Sequence, residues 1–504
     1  MVPAVSGGAP SACPPGRARQ AALEALAHLD RGGGFLRQEL HAIFSRLDLP
    51  TRDRALATQL AAGTVRHRRT LRLTLSHLRG KAGRAADIQP RLRALLELGA
   101  FQLLFLDRVP AYAAINEAVE AARQASAGPR GEKAAGFVNG MLRGLQRLIA
   151  GREPGGGAAR DAIPHPEGGV VRLRANVLPD PKESVAAFLG AAYSYPDWLV
   201  ARWLKEFGGK AEEICRWGNR RPRLFARVNP MRHTPEALLE ILRKESPEVA
   251  PGPQPGTLDV SALDVARLES LLDEGSITVQ DPAAMAAVEA LAPAPGESIL
   301  DLCASPGTKT TQIAEAMGDR GRIVASDRTQ EKLAPLRGAV TARGLASVTV
   351  CLSADVAAAA PTGGFEGALV DVPCSNTGVL ARRVEARWRL RPEDLAELPR
   401  VQLQLLAEAA AMVRPGGRLV YSTCSLQREE NGGVVDAFLG EHKAWRAAGQ
   451  ELILPGPDHD GAFWVRLESV ECGMRSERRT ACPFFTCHGL LVNPWLLCPY
   501  FLIA

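Results

Sequence analysis

The stretch that decides the fold is Leu300–Met317, "LDLCASPGTKTTQIAEAM", in which a short apolar run passes through a Pro/Gly turn into a helical pattern. Four further apolar runs follow it, and helix-like segments separate most of them: "RIVAS", "VTVCL", "GALVDV" and "RLVYS". Short apolar strands that alternate with helices are typical of a parallel sheet with crossover helices. We therefore predict a doubly wound, Rossmann-like α/β domain over residues 286–468.

The turn at residues 303–309 indicates the class of ligand. In a doubly wound fold it lies at the carboxyl end of the first strand, where backbone N–H groups and a helix N-terminus face the ligand crevice. It contains neither the G-x-G-x-x-G fingerprint nor a G-x-x-x-x-G-K-[ST] phosphate loop, so a dinucleotide or a triphosphate is not favoured.

Carboxylates follow the next three predicted strands at Asp327, Asp355 and Asp371. A single acid in such a place is more often a helix cap or a turn residue. Together with the turn, however, the three predict a nucleoside-containing cofactor without a phosphate chain, and S-adenosylmethionine fits that description. The predicted cofactor-binding residues are Cys303, Ala304, Ser305, Pro306, Gly307, Thr308, Lys309, Asp327, Asp355 and Asp371.

Two cysteines lie 50 residues apart in similar contexts, Cys374 in "DVPCSNTG" and Cys424 in "YSTCSLQREEN". Each follows an apolar run, so both thiols are predicted at strand ends of one sheet, in one site. A free cysteine is most often a small buried hydrophobe. We keep that interpretation for Cys303 and Cys351, whose surroundings are strand-like and apolar, although Cys303 is also part of the predicted cofactor turn.

The rest of the chain divides into segments that differ in composition and in the spacing of their apolar residues. Residues 1–16 are rich in Pro, Gly and Ala and are predicted to be disordered. Residues 17–150 have apolar residues at intervals of three and four and are predicted to form an all-α domain. The Gly/Pro-rich residues 151–184 are typical of a linker, residues 185–285 alternate helical and strand patterns as a small α/β module does, and residues 469–504 form an atypical tail.

The formal net charge of +6 is concentrated near the N-terminus. Residues 51–100 contain eleven Arg or Lys residues and three acids, a net charge of +8 in that window. Such a concentration suits a phosphate-binding surface, and it is equally typical of a solvated helical face. The charge alone leaves both interpretations open.

Composition places this 504-residue chain among globular proteins of several domains, with 46% apolar and 23% charged residues. No apolar run reaches the ~18 residues that span a bilayer, and no secretory pattern opens the sequence. The ten cysteines form no close-set framework before residue 470, so we expect free thiols in the cytoplasm. "CPFFTCH" near the C-terminus has no second ligand pair at finger spacing, so no metal is predicted.

These motifs resemble a known family. "LDLCASPGTKTT", "CLSADV", "DVPCSNTGVLARR", "RPGGRLVYSTCS" and "EEN" resemble the Sun/NOL1/NOP2 family of S-adenosylmethionine-dependent RNA cytosine-5 methyltransferases over roughly residues 275–468. "RDRALATQLAAGTVRHRRTLR" and "GFVNGMLR" resemble a NusB-like RNA-binding domain. The combination resembles family members that methylate 16S ribosomal RNA, which implies an RNA partner, an RNA-recognition role for the middle module and a monomer.

The resemblance also implies roles for the site residues. Cys424 would add to carbon 6 of the cytosine, Cys374 would assist release of the product, and Asp371 would contact the N3 edge of the base. Lys309 would favour a thiolate and bind the carboxylate of the cofactor. DNA cytosine methyltransferases instead use the cysteine of their "PC" motif as the nucleophile, so the motifs alone leave the order of the two thiols open. The arginines that follow Cys374 are predicted to meet the RNA backbone: Arg382, Arg383 and Arg387.

The chain departs from the family pattern at Ser305 and Thr308, where a second alanine and a second glycine are usual. We therefore expect the backbone to approach the methionine part of the cofactor slightly differently. Three alternatives also stay open. The catalytic motifs do not encode the RNA, so a tRNA methyltransferase fits them equally. An RNA-binding assembly factor with a degenerate catalytic domain would lack the cysteines and acids that are present here. The NusB-like region could also serve transcription antitermination.

Overall fold

The computed structural model describes residues 16–32, 34–80, 88–125 and 128–470. The chain divides into two compact units: the first comprises residues up to Arg221 together with Leu380–Arg389, and the second comprises Pro222–Val379 and the residues from Leu390 onward. No helix in the described ranges is long and apolar enough to cross a membrane. The predicted N-terminal disorder up to residue 15, and the tail beyond residue 470 with its "CPFFTCH" motif, lie outside the described residues.

The first unit begins with the predicted all-α domain. Its helices share one apolar core, and small residues let them approach closely. A Cβ on Gly63 would lie 2.0 Å from Phe101 Cζ, so only glycine fits there. The helices are α1 (Arg17–Asp30), α2 (Leu36–Leu47), α3 (Thr51–Arg66), α4 (Arg68–Arg79), α5 (Pro90–Phe105), α6 (Ala111–Gln124) and α7 (Pro129–Leu148).

The prediction of a linker at 151–184 is wrong, because this segment contributes to a three-stranded antiparallel sheet. Its strands are β1 (Ile149–Glu153), β2 (Ala162–Pro164) and β3 (Val170–Leu173). Ile163 and Val171 are fully buried in the core of the helical domain. The glycines that suggested flexibility form turns: Gly169 has φ 73°, and a Cβ there would lie 2.1 Å from Glu153 O.

Part of the basic window forms an internal network of ion pairs. Arg72 Nε lies 2.6 Å from a carboxylate oxygen of Glu97, a residue that is almost fully buried. Arg68 and Arg93 contact the same carboxylate and also that of Asp30. Burial raises the pKa of Glu97, and Arg72 and Arg68 oppose this. These three arginines are therefore engaged in internal ion pairs and do not form a simple solvated face.

Three more helices belong to the first unit: α8 (Val185–Tyr193), α9 (Asp197–Phe207) and α10 (Lys210–Trp217). The prediction assigned them to the middle module. Contacts with α4 explain the difference, since Thr70 Oγ1 donates to Ala191 O at 2.6 Å and Arg69 N donates to Ser194 Oγ at 2.9 Å. These partners are more than 100 residues apart in sequence, so no local pattern reports them.

The second unit begins with a small α/β module, as predicted. Its antiparallel sheet has the order β5-β6-β4-β7 and packs against two helices around one apolar cluster. The elements are β4 (Phe225–Val228), α11 (Pro235–Glu245), β5 (Ala250–Pro251), β6 (Thr257–Asp259), α12 (Val265–Asp273) and β7 (Ile277–Val279).

A seven-stranded sheet forms the core of the second unit and confirms the predicted Rossmann-like class. Its order is β10-β9-β8-β11-β12-β14-β13, in which the first five strands are parallel and the last two run antiparallel to their neighbours. The strands are β8 (Ser298–Asp301), β9 (Arg322–Asp327), β10 (Val348–Leu352), β11 (Phe365–Asp371), β12 (Val413–Thr423), β13 (Trp445–Ile453) and β14 (Ala462–Ser469). The helices are α13 (Pro282–Leu291), α14 (Thr308–Ala316), α15 (Gln330–Arg343), α16 (Val356–Ala359), α18 (Asp394–Met412) and α19 (Gly432–Glu441), and α17 (Ala386–Arg389) lies in the first unit.

The topology fixes where the site lies. The chain adds β9 and β10 on one side of β8 and then β11 and β12 on the other. Ligands of such sheets bind at the carboxyl ends of the strands beside this reversal. The predicted cofactor turn and both cysteine motifs follow the carboxyl ends of β8, β11 and β12, so the sheet gathers them at one edge.

Candidate active site

The predicted cofactor turn joins β8 to α14 and is held by backbone hydrogen bonds. Ala304 N donates to Ser326 O at 2.9 Å, and Gly307 N donates to Ala304 O at 2.8 Å. Gly307 has φ 107°, and a Cβ there would lie 2.9 Å from Leu336 Cδ1, so this position requires glycine. Thr308 starts α14 without a positive φ, so the family's second glycine is not needed for the backbone.

The other residues of the turn differ in exposure. Pro306 is exposed, Ser305 is half-buried, and Cys303 is half-buried against the apolar core of the sheet. Burial raises the pKa of the Cys303 thiol, which fits its interpretation as a small packing residue. Ser305 N donates to Asp327 Oδ2 at 3.3 Å, so the turn and the end of β9 are in direct contact.

The strand-end acids lie where the sequence predicts them. Asp327 ends β9 and is buried, with Lys332 Nζ 3.6 Å from its Oδ1. Asp355 follows β10 and is exposed, while Asp371 ends β11. Because the carboxyl ends of parallel strands share one edge, all three acids belong to the edge that carries the turn.

Sequence reasoning missed Asp301, which ends β8 directly below the turn. Its Oδ2 accepts a hydrogen bond from Thr310 Oγ1 at 2.7 Å, and its Oδ1 has no hydrogen-bond partner among the described residues. Burial raises the pKa of Asp301 to about 7, and the bond from Thr310 opposes this. The signal was available, because Asp301 ends its strand just as Asp327 ends β9.

The residues around the turn fit a nucleoside cofactor. They offer backbone N–H groups at a helix N-terminus, a carboxylate at the position suited to ribose hydroxyls, and the buried Oδ1 of Asp301 without a partner in the described chain. The described residues contain no group of three or more His, Cys, Asp or Glu side chains that could hold a metal ion.

Lys309 connects the turn to the end of β11. Its Nζ donates to Asp371 Oδ2 at 2.5 Å, and Ser422 Oγ donates to Asp371 Oδ1 at 2.8 Å. Burial alone would lower the pKa of Lys309, but the Asp371 carboxylate raises it above its usual value, and Cys424 adds to that effect. Lys309 is therefore a cation placed near both a carboxylate and a thiol.

The structure brings Cys374 and Cys424 together, with their sulfur atoms 3.2 Å apart and both thiols free. Cys424 is half-buried, and its Sγ lies 3.3 Å from Asn376 Oδ1. Asn376 Nδ2 donates to Cys374 O at 2.9 Å. The hydrogen bond with Cys424, followed by burial, raises the pKa of Cys374 well above its usual value. The two thiols thus differ: one is accessible and the other is buried as a neutral thiol.

A buried carboxylate, Glu430, is hydrogen-bonded to the residues that follow the two cysteines, Ser375 and Ser425. Its Oε1 accepts hydrogen bonds from Ser375 N at 2.8 Å and Gln402 Nε2 at 3.0 Å, and its Oε2 accepts from the hydroxyls of Ser375 and Ser425, each at 2.5 Å. Burial raises its pKa, and these hydrogen bonds oppose the rise. Sequence reasoning quoted "EEN" only as a motif and assigned Glu430 no role.

The predicted RNA-binding arginines do not behave alike. Arg382 is exposed and Arg383 half-buried. The prediction for Arg387 is wrong: it is fully buried in the first unit, where its guanidinium lies 4.0 Å from the ring centroid of Tyr195. It donates to an amide oxygen and four backbone carbonyls, those of Asn219, Gly218, Leu380, Ser194 and Arg66. A guanidinium buried among these partners cannot reach a phosphate.

Comparison with known proteins decides the family. A probable ribosomal RNA small subunit methyltransferase B of Synechocystis is 33% identical over 471 residues, which cover 89% of this chain and 98% of that protein. The chain belongs to the 16S rRNA methyltransferase RsmB/F family. The family model matches residues 288–457, the NusB family model matches residues 16–147, and a ferredoxin-like domain of RsmF/B-like methyltransferases matches residues 195–258. The predicted family and the NusB-like N-terminal region are confirmed.

Other relatives agree with this assignment. A probable ribosomal RNA small subunit methyltransferase B of Bacillus subtilis is 33% identical over 435 residues, covering 84% of this chain and 88% of that protein. The crystal structure of PH0851 superposes with a TM-score of 0.70 at 24% identity and covers 91% of this chain and 100% of that one. A methyltransferase homologue from Pyrococcus horikoshii reaches 0.51 at 22% identity, covering 57% and 99%. At these identities the solved structures support the fold.

Proposed function

We propose that this member of the RsmB/F family uses S-adenosylmethionine to methylate carbon 5 of a cytosine in 16S ribosomal RNA, through a covalent bond between Cys424 and the base. One observation carries the chemistry: two free thiols from different strand ends lie 3.2 Å apart, beside the Lys309–Asp371 pair. The names of the relatives from Synechocystis and Bacillus subtilis support the ribosomal substrate.

Carbon 5 of cytosine is a weak nucleophile, and a thiolate that adds to carbon 6 turns the ring into an enamine that can attack from carbon 5. The exposures of the two thiols support Cys424 as the attacking group. Cys424 is half-buried, whereas Cys374 is 7% exposed and its thiol has a strongly raised pKa. Lys309, whose pKa is raised by Asp371 and Cys424, places a positive charge near the attacking thiol.

Cys374 is proposed to act later, when the proton on carbon 5 leaves and the bond from Cys424 to carbon 6 breaks. Its sulfur touches that of Cys424, so it lies next to the bond that must break. Asp371 is proposed to contact the N3 edge of the base, held in place by Lys309 and Ser422. The target base must leave its stack or loop to reach these groups.

When bound, S-adenosylmethionine supplies the methyl group. Asp327 is proposed to hold the ribose hydroxyls, and Asp355 and the turn from Cys303 to Lys309 to hold the rest of the cofactor. Arg382 and Arg383 remain the proposed contacts to the RNA backbone, and the ferredoxin-like module is proposed to help recognise the RNA. A monomer that works in the cytoplasm, where ribosomal RNA is found, completes the proposal.

The substrate is tested by incubating the full chain with methyl-labelled S-adenosylmethionine and separate pools of unmodified 16S rRNA and tRNA. We expect label on cytosine carbon 5 in the 16S pool. An absence of label from both pools contradicts the enzymatic proposal, and label confined to tRNA contradicts the ribosomal one.

The roles of the thiols are tested with Cys424→Ala and Cys374→Ala. The first is expected to bind cofactor without methylating RNA, and the second to accumulate a covalent RNA adduct that survives denaturing electrophoresis. Cys351 is a half-buried thiol on β10, so Cys351→Ala is the matched control and should methylate normally. If the two phenotypes were exchanged, the order of the thiols would be the reverse of the one proposed.

A further inference from the structure

A single buried side chain contacts the residue that follows each catalytic thiol. Ser375 comes directly after Cys374 and Ser425 directly after Cys424, and both hydroxyls donate to the same oxygen of Glu430. The other oxygen accepts from Ser375 N and from Gln402 Nε2, and Gln402 also donates to Pro373 O at 3.0 Å. Both carboxylate oxygens therefore accept hydrogen bonds, from the serines that follow the two cysteines and from Gln402.

The backbone of Glu430 is fixed as well. Its carbonyl oxygen accepts a hydrogen bond from Tyr421 Oη at 2.6 Å, on the strand that leads to Cys424. Next to it, Asn431 Oδ1 accepts from Thr423 Oγ1 at 2.7 Å, and Asn431 Nδ2 donates to Ser425 O at 2.9 Å. The carboxylate therefore projects from a segment that is itself anchored to β12.

The charge of Glu430 is not balanced by a nearby cation. Among the described residues, burial and hydrogen bonds rather than a Lys or Arg charge act on its carboxylate, and its side chain is fully buried. Burying a carboxylate without a counter-charge is costly, and its hydrogen bonds offset part of that cost. Removing it would leave Ser375 N without its acceptor, and would leave the Gln402 amide with Pro373 O and the two serine hydroxyls with each other.

We propose that Glu430 is the positioning residue that sets the distance between the thiols of Cys374 and Cys424. It touches neither sulfur and acts through Ser375 and Ser425. The same carboxylate is one of the groups that raise the pKa of Cys374, after the bond with Cys424 and burial, so it also helps to keep that thiol protonated. The inference rests on the two-thiol chemistry proposed above.

The kinetic test uses Glu430→Ala and Glu430→Gln in the full chain. A displacement of about 1 Å in a reacting group lowers the rate about 100-fold, so Glu430→Ala is expected to lose about that factor in kcat while KM for S-adenosylmethionine stays within about twofold. Glutamine can keep all four contacts, because its carbonyl oxygen accepts from the two N–H donors and its amide donates to the two hydroxyls. Glu430→Gln is therefore expected to retain kcat within roughly tenfold.

A second readout measures the spacing of the thiols without any methyl transfer. Phenylarsine oxide bridges two neighbouring thiols, and its incorporation is followed by mass spectrometry of the intact chain. Wild type and Glu430→Gln are expected to take up one arsenical that Cys374→Ala abolishes. Glu430→Ala is expected to lose this uptake although iodoacetamide still alkylates Cys424. Glu441→Ala, an exposed carboxylate at the end of α19, is the control and should change neither readout.

The outcomes separate the two proposals. If Glu430→Ala keeps both kcat and arsenical bridging, Glu430 does not set the spacing. If wild type bridges the arsenical but Cys424→Ala still methylates RNA, the thiol chemistry is wrong while the spacing role stands. If Glu430→Ala does not fold, Ser375→Ala and Ser425→Ala decide, since each keeps the carboxylate and removes one link. Unchanged kcat and bridging in both serine variants would overturn the inference.

Discussion

Replacing Arg387 by methionine tests the interpretation of this arginine as a structural residue of the first unit. Methionine keeps most of the length of the side chain but removes all the donors. Hydrogen bonds to a charged group contribute about 1.5–3 kcal/mol each. The two shortest hydrogen bonds of Arg387, to Asn219 Oδ1 at 2.8 Å and to Gly218 O at 2.9 Å, together contribute about 3–6 kcal/mol to the free energy of unfolding. Burying methionine does not require the desolvation of a charge, which offsets part of this loss. We therefore expect the free energy of unfolding to fall by about 3 kcal/mol, the lower end of that range.

For a unit of 150–250 residues, each kcal/mol shifts Tm by about 2–4 °C, so the variant should unfold about 6–12 °C lower. Differential scanning calorimetry of the full chain measures this shift, with Arg382→Met as the control on the same segment. Arg382 is exposed, so its replacement should change stability by less than about 0.5 kcal/mol. Equal Tm values for Arg387→Met and the control would refute the structural role and reopen the RNA-contact interpretation.

Three further predictions concern the second unit. Arg227 donates to the carbonyl of Thr308 at 3.2 Å, and Arg227→Lys, which keeps the charge but not the fork, should weaken S-adenosylmethionine binding by about tenfold in calorimetric titration. Asp301 has a pKa of about 7 against 3.8 ordinarily, so the folded protein holds this proton more tightly than the unfolded chain. The stability of wild type relative to Asp301→Asn should therefore be greatest below about pH 4 and should fall as pH rises through about 7, which urea unfolding at several pH values would show. A Cβ at Gly378 would lie 2.5 Å from a backbone oxygen and one at Gly432 would meet nothing within 4 Å, so methylation assays should show at least a tenfold loss for Gly378→Ala and none for Gly432→Ala.

Much of the catalytic sheet could be predicted because its strands are buried on both faces and carry their own apolar signal. The apolar run that opens "LDLCASPGTKTTQIAEAM" became part of β8, and "RIVAS" became part of β9. The topology of a doubly wound sheet then placed the two thiols at one edge. The 3.2 Å distance between those thiols was not predictable, because it depends on how the loops after β11 and β12 are held.

The parts that could not be predicted depend on partners far away in sequence. The Gly/Pro-rich segment at 151–184 has the composition of a linker, and only the packing of Ile163 and Val171 into the helical core distinguishes turns from flexibility. Arg387 belongs to a basic run that is typical of a surface, yet its partners lie 168 or more residues away, apart from Leu380. Glu430 reaches Ser375 across 55 residues, and no spacing rule reports such a contact.

Leu380–Arg389 lies between Cys374 and α18 in sequence but packs in the first unit, where Trp388 Nε1 donates to Val65 O at 2.8 Å. The two units therefore cannot be separated by one cut in the chain. A catalytic fragment that begins near residue 222 would carry an apolar and cationic peptide whose partners had been removed. The same peptide is a constraint on evolution, since recombination that exchanges the N-terminal domain must also supply a matching ten-residue segment from within the catalytic sequence.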